Sequence, residues 1–345
     1  MPRPSAVRRS IRREEVKIIA YASKLYYGHP AGFFYNETNP TGKTGLEREG
    51  CGMSLRRRES IAGWLFVSPM LLGVTVLTLL PILATFALSL TDWVFIAGFR
   101  EIKWTGLDNF ARLAEDAAFR KSLGNNFVFL LTVPVYMAIS LALAVVINRH
   151  VYWKDAFKVI YFMPYISSVV AVAIVWQVLF HPTLGPVNRL LMAIGVEHPP
   201  AWIADPKFAL VSVMMVAVWI SIGYNMIVYI AGLQAIPKEL LEAAEIDGAN
   251  GWQRFWKITF PLLSPTSFFL LVTGLIYSFK VFDLIAVLTK GGPVRSTSVL
   301  VWYLYEVAFE NLKVGYASAV ALVLFVCVFL ITIVQWIGQR KWVNY

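Results

Sequence analysis

Charge is scarce in this chain. Only 15% of its 345 residues are Asp, Glu, Lys or Arg, against about 25% in a typical soluble domain. Cysteine is nearly absent: there are two, Cys51 and Cys327, beside four scattered histidines, His29, His150, His181 and His198. A disulfide framework, a CxxC redox motif and Cys/His zinc spacing are therefore excluded, and no metal site is expected. Asp283 is the one acidic residue inside a long apolar run, so paired intramembrane carboxylates for acid–base work or proton pumping are missing. No serine stands in the strained elbow context of a Ser/His/Asp set. The fragment Thr41-Gly42-Lys43-Thr44 ends like a phosphate-binding loop, but Glu37 occupies the position where that loop needs a glycine, and its charge would repel phosphate. The chain is thus expected to be neither an enzyme nor a nucleotide binder, with no cofactor of its own.

Apolar sequence fills the space that charge leaves. Hydrophobic residues make up 58%, aromatic residues 14%, and the mean hydropathy is +0.62. A soluble protein needs its polar residues for its skin and cannot hide this much apolar surface. Charge-free stretches run 60–91, 122–148, 159–188, 208–237, 258–279 and 314–339, each at least the ~20 residues a helix needs to cross hydrocarbon. Period-two alternation is absent, which excludes a barrel. The expected fold is all-α and polytopic, embedded in membrane lipid, with six transmembrane helices near 61–90, 124–148, 158–180, 208–233, 264–288 and 315–338.

An even number of spans places both termini on one side. The net charge is +10, and 12 of the 31 basic residues lie in the first 58 positions. Segments 149–158, 238–257 and 340–345 hold 8 basic residues in 36 positions, whereas 92–121, 181–207 and 290–313 hold 10 in 81. That bias puts the N and C termini in the cytoplasm of a multi-pass plasma or inner-membrane protein and accounts for the basic balance without nucleic acid. Residues 1–59 form a basic extension, rich in Gly, Ser, Thr and Asn up to residue 52, which reads as mostly disordered. Met53, followed by Ser-Leu-Arg-Arg-Arg and then the first span, makes a natural starting sequence. Either residues 1–52 are an upstream extension or they are a regulatory or partner-binding tail. The first apolar run is too long and too far from the start for a cleavable signal peptide.

The loop between the fourth and fifth spans, 'IPKELLEAAEIDGANGWQRFWKITFPLLSP' at 236–265, holds more structure than a connection needs. Pro237 suits a helix start. Residues 238–247 are mostly strong helix formers, with Leu240, Leu241 and Ala244 on one side and Glu239, Glu242 and Glu245 on the other. Asp247-Gly248 brings turn chemistry, and Trp252, Phe255 and Trp256 form a second amphipathic turn. Acidic residues on an anionic leaflet are unfavourable, so a protein partner with basic residues fits better than a lipid surface.

The spacing Glu242-Ala243-Ala244, three residues, Gly248, nine residues, Ile258, two residues, Pro261 resembles the EAA loop of ABC-importer permeases, with Phe260 in place of the usual leucine. Four further stretches resemble the carbohydrate-uptake branch, the maltose- and glycerol-phosphate-type permeases. They are 'GLDNF' at 106–110, 'GYNMIVYIAGLQAIP' at 223–237, 'FKVFDLIAVLTKGGP' at 279–293, where Lys290 replaces a glycine, and 'YASAVALVLF' at 316–325. The resemblance covers residues 60–345. It implies a permease subunit that works with a second, similar permease, two ATPase subunits that bind the ATP, and an extracytoplasmic solute-binding protein. It further implies a coupling loop at 236–261 that includes Glu239, Glu242, Ala243, Ala244, Asp247, Gly248, Ile258 and Pro261, in which Glu242 pairs with ATPase basic residues, Ala243 and Ala244 pack in an ATPase cleft, and Gly248 gives the turn its close approach. The solute would be a sugar, oligosaccharide or glycerophospho compound.

Polar groups within spans are expensive and mark candidate path residues. These are Trp219, Tyr224 and Asn225 in the fourth span and Tyr277, Lys280 and Asp283 in the fifth, with Trp176 and Gln177 in the third. Lys280 and Asp283, at i and i+3 of one helix, are expected to neutralise each other. Packing against the second permease and hydrogen bonding between helices are the blander roles for these groups. Outside the spans, Leu107, Phe110, Ala111 and Ala114 give 106–121 an amphipathic face, and 297–311 forms a second short helix; both are expected to cap the bundle. The alternative function is a stand-alone secondary transporter or channel, for which neither coupling-ion residues nor an inverted repeat is visible.

Overall fold

The computed structural model describes residues 49–148 and 152–342. Among these residues every regular element is helical, and the only strand-like feature is an isolated bridge between Thr91 and Trp104. The chain divides into two units, residues 1–70 and 71–345.

The described part of the first unit lies in α1 (Glu49–Val74). Ile61, Trp64, Leu65, Phe66 and Met70 all stand exposed there, an apolar surface suited to lipid tails rather than to water. The helix begins at Glu49, so residues 49–59, expected to be irregular, are helical instead. Leu55 and the arginines after it are good helix formers, and each residue added to a helix already nucleated gains a hydrogen bond. The expectation of disorder for residues 1–48 lies outside the described residues.

In the second unit a π turn (Thr75–Leu79) leads into α2 (Leu80–Ser89). Then come α3 (Asp108–Glu115), α4 (Ala117–Phe129), α5 (Thr132–Asn148), α6 (Lys154–Ile166), α7 (Val169–Leu179) and α8 (Pro186–Ala193). They are followed by α9 (Ala209–Gln234), α10 (Lys238–Ile246), α11 (Gly251–Arg254), α12 (Phe260–Leu262), α13 (Ser264–Phe279), α14 (Asp283–Leu288), α15 (Leu300–Tyr305) and α16 (Val314–Trp342). Four stretches are long and apolar enough to cross a membrane singly: Glu59–Ser89, Ala117–Asn148, Ala209–Gln234 and Val314–Gln339. Two bent pairs bring the number to six if each pair is one span.

One of these bends and a separate helix break correct two expected helices. The span placed at 158–180 is α6 and α7, which meet at 96°. Pro164 weakens the end of α6, the extended backbone of Ser167 stops it, and the Ser167 hydroxyl donates to the Met163 carbonyl at 2.8 Å. The span placed at 264–288 ends at Phe279 and restarts at Asp283.

The interior consists of three apolar clusters. Near α10, Ala144 and Ile147 of α5 meet Met226, Tyr229 and Ile230 of α9 and Leu263 and Leu270. Around α14, Ile285 and Leu288 pack on Val172 and Ala173 of α7 and on Val213 and Val216 of α9. Beside them, Leu113 and Phe119 pack on Leu300, Tyr303, Ala317 and Val320. The face expected for 106–121 is rotated. Asn109 and Leu113 are buried while Leu107 is exposed, because the Asn109 amide turns inward to donate to the carbonyls of Ser89 and Thr91, both at 2.8 Å, at and just past the end of α2.

Candidate functional site

α10 projects with none of its side chains buried. Leu241 packs against the nearby apolar cluster, whereas Leu240, expected on the same side, is exposed, as are Glu239, Glu242, Ala243, Glu245 and Asp247. Ile246 is 87% exposed and Trp252 71%, which leaves apolar and acidic groups together at the surface. The chain then reverses through Gly248 at φ +80°, a left-handed conformation that costs other residues roughly 1–2 kcal/mol. A Cβ at Gly248 would meet nothing within 4 Å, so this glycine supplies backbone freedom rather than a close approach within the chain.

Asn250 caps the next turn in a reciprocal box with Gln253, at 2.8 and 3.0 Å. Arg254 returns to Glu245 at 2.7 Å, tying the two arms of the loop together. Trp252, Phe255, Trp256 and Phe260 form a chain of ring contacts with centroids 5.1–6.2 Å apart. Ile258 and Pro261 are half-buried where this arm leads into α13.

Two cavities lie among the spans. One, of about 180 Å³, is lined by Phe129, Thr132, Ser221, Tyr277, Lys280 and Asp283 among others. The second, of about 150 Å³, is lined by Tyr165, Tyr224, Asn225, Leu270 and Thr273. Tyr136, Ser221, Gly274 and Tyr277 border both. Five of the eight path candidates, Tyr224, Asn225, Tyr277, Lys280 and Asp283, therefore line these cavities. Trp219 does not; its ring meets Trp176 edge-on at 5.5 Å. Gln177 also serves packing: its amide donates to the Val287 carbonyl at 2.5 Å and the Leu288 carbonyl at 3.2 Å, joining α7 to α14.

The expected Lys280–Asp283 pair is not formed. The ion pairs among the described residues are Arg112–Asp92, Lys158–Asp155, Arg254–Glu245 and Arg295–Glu306. Lys280 sits at the C-cap of α13 and Asp283 in the first turn of α14. The helix break separates them, and each charge instead matches the partial charge of its own helix end. Asn225 donates within its own helix, to the Ser221 carbonyl at 2.8 Å, and Tyr224 stacks on Tyr165 at 4.8 Å. Tyr136, Ser221 and Thr273 were missed in the sequence. A tyrosine or hydroxyl in a span carries no marker of the cavity it will face, since hydroxyls commonly bond their own helix, as Ser221 does to Ala217.

A third cavity, of about 650 Å³, lies between α4, α15 and α16. Asp116 on its wall caps α4 through the N–H groups of Ala118 and Phe119 and accepts from the hydroxyls of Tyr303 and Tyr316. Burial pushes its pKa up, but these hydrogen bonds more than reverse that and hold it below the ordinary carboxylate value. Arg295 and Glu306 form a two-pronged pair at 2.8 and 2.5 Å beside it.

A bare surface helix and polar cavities between spans are the features that the comparisons below have to account for. The family described as "Binding-protein-dependent transport system inner membrane component" matches residues 134–343. The chain belongs to this family. The permease is accordingly a multi-pass inner-membrane protein, not an enzyme, and its family's transport depends on a binding protein. It is 36% identical over 294 residues to the probable ABC transporter permease protein YesP of Bacillus subtilis, covering 84% of this chain and 94% of that protein. It is 38% identical over 244 residues to the sn-glycerol-3-phosphate transport system permease protein UgpA of Agrobacterium fabrum, covering 70% of this chain and 83% of that one. The lactose transport system permease protein LacF of Rhizobium radiobacter is 34% identical over 84% of the permease and 97% of its own length. The fold matches that of a chain in a bacterial ABC transporter for the acidic polysaccharide alginate, with a TM-score of 0.73 and 24% identity over 84% of the permease and 99% of that chain.

Proposed function

We propose that this permease forms half of a solute path through the inner membrane and that its 236–261 loop transmits the closure of ATPase subunits to that path. The observation that carries the reading is α10, an exposed helix with the acidic residues Glu239, Glu242 and Glu245, held at a set angle by Gly248 and the Arg254–Glu245 pair. A helix with no buried face gains little from packing within its own chain, which is the condition for docking in a cleft of another subunit. Glu242 pairs there with basic residues, and Ala243 and Ala244 admit close approach. Both termini lie in the cytoplasm with the loop, as the distribution of Lys and Arg favours.

A second, similar permease completes the path. Tyr277 is 64% exposed and Lys280 is exposed within the spanning region, and polar groups on such a face are costly against lipid but suited to an aqueous cavity shared by two subunits. The solute is a sugar, oligosaccharide or glycerophospho compound. The names of the relatives for lactose and sn-glycerol-3-phosphate support this class, and the tyrosine-rich cavity walls suit sugar faces. A solute-binding protein delivers it from the outer side.

The test is affinity purification of the tagged permease, expressed with its neighbouring genes, followed by native mass spectrometry beside a Gly248→Val variant. Recovery of a second permease and two ATPase subunits from the wild type, with the ATPase subunits lost from the variant, is the expected result. A permease that purifies alone and transports without ATP would overturn the reading.

A further inference from the structure

We propose that Tyr136, seated against Gly274, forms the neck between the two intramembrane cavities and sets the width of solute that passes. The proposal rests on the reading of those cavities as the solute path. Its first support is topological: Tyr136, Ser221, Gly274 and Tyr277 are the residues the two cavities have in common, so whatever separates the cavities is built from these four. Tyr136 comes from α5, Gly274 and Tyr277 from α13, and Ser221 from α9.

The second support is steric. A Cβ added at Gly274 would fall on the Tyr136 hydroxyl oxygen, and would lie 3.0 Å from Val133 Cγ1 and 3.3 Å from Tyr136 Cζ. Glycine is unfavourable inside a helix, and here its missing side chain is the space that the tyrosine oxygen fills. With Gly274 the ring is drawn aside against α13. Any side chain at that position drives the ring toward one cavity or the other, because Tyr136 is only 7% exposed and has little free space elsewhere.

The experiment uses the permease in its complex, in intact cells under ATP turnover, with Cys51→Ala and Cys327→Ala as background. Single cysteines are placed at Lys280, which lines the first cavity only, and at Thr273, which lines the second only. A small and a bulky methanethiosulfonate are applied from outside, and the ratio of their labelling rates is read at each site. The bulky reagent should be disfavoured at Thr273→Cys relative to Lys280→Cys by about tenfold, the scale set by overpacking at a tight contact. Tyr136→Ala should remove that excess. Gly274→Ala should raise it and lower solute uptake, and Tyr136→Phe in the same chain, lacking the colliding oxygen, should restore both. Equal ratios at the two sites, or a Gly274→Ala defect that Tyr136→Phe leaves unchanged, would overturn the neck. Labelling of neither cysteine during turnover would instead remove the cavities from the path, a separate failure.

Discussion

Two connecting segments of this permease are built in opposite ways. In the segment leading into α15, Ser296, Thr297, Ser298, Val299 and Leu300 are all buried. The Asn125 amide donates to the carbonyls of Arg295 at 3.1 Å and Ser298 at 2.8 Å, Ser122 and Ser298 share a hydrogen bond at 2.8 Å, and the Leu300 N–H donates to Asn126 Oδ1 at 2.7 Å. In the loop from α10 to α11, by contrast, no residue of either helix is buried and the side-chain hydrogen bonds stay within the loop. The first segment is finished by its own chain. The second is shaped locally and left bare, the condition that the proposed docking of another subunit relies on.

This contrast can be broken at several points. The largest effect is expected at Asn126. Asn126→Leu leaves the buried Leu300 N–H without its acceptor, at about 1–3 kcal/mol, and should lower the thermal midpoint of the detergent-solubilised permease. An unchanged midpoint would mean that the buried segment is not held by these amides. Gly248→Val adds roughly 1–2 kcal/mol of local backbone strain at an exposed turn where a Cβ meets nothing within 4 Å. Its midpoint should therefore move less than that of Asn126→Leu, while ATPase-subunit retention in pull-down collapses.

Asp116 offers a pH handle on the buried side of the comparison. Its pKa is lower in the folded chain than the ordinary value, so its stabilisation is complete above about pH 4 and fades as pH falls through the folded value. Melting curves from neutral to acid pH should show a steeper acid loss for the wild type than for Asp116→Asn; parallel curves would show that the tyrosine contacts carry no charge-dependent energy. The smallest effect belongs to Glu245→Gln. It removes a pair whose Glu245 side chain is 69% exposed and should cost no more than about 0.5 kcal/mol, read as a thermal shift at the margin of detection.

The spans and the loop at 236–265 were the most legible parts of the sequence. Apolar runs report their own preference for lipid, and the loop announced its helix and turn through Pro237, the residues 238–247 and Asp247-Gly248. The breaks within spans were harder to see. Pro164 and the serines after it signal the bend between α6 and α7, yet Lys280 and Asp283 read as a helical pair because nothing in 'FKVFD' forbids a helix. The interruption there depends on how Val281, Leu284 and Ile285 fill the space beside Val172 and Val216. The face of Leu107, Phe110, Ala111 and Ala114 is rotated for a related reason: the carbonyls of Ser89 and Thr91, distant in sequence, draw Asn109 inward.

The sequence by itself determined that this protein lives in a membrane as a helical bundle and that a helix and a turn stand between its fourth and fifth spans. Partition into lipid is a sum over local side chains, and the loop's shape follows from backbone preferences a few residues apart. Only the tertiary structure decided which polar residues share a cavity, that Lys280 and Asp283 stand at two helix ends instead of pairing, and that Gly274 makes room for Tyr136. Those outcomes depend on atoms from separate helices meeting within a few ångströms, and no local run of sequence records which atoms will meet.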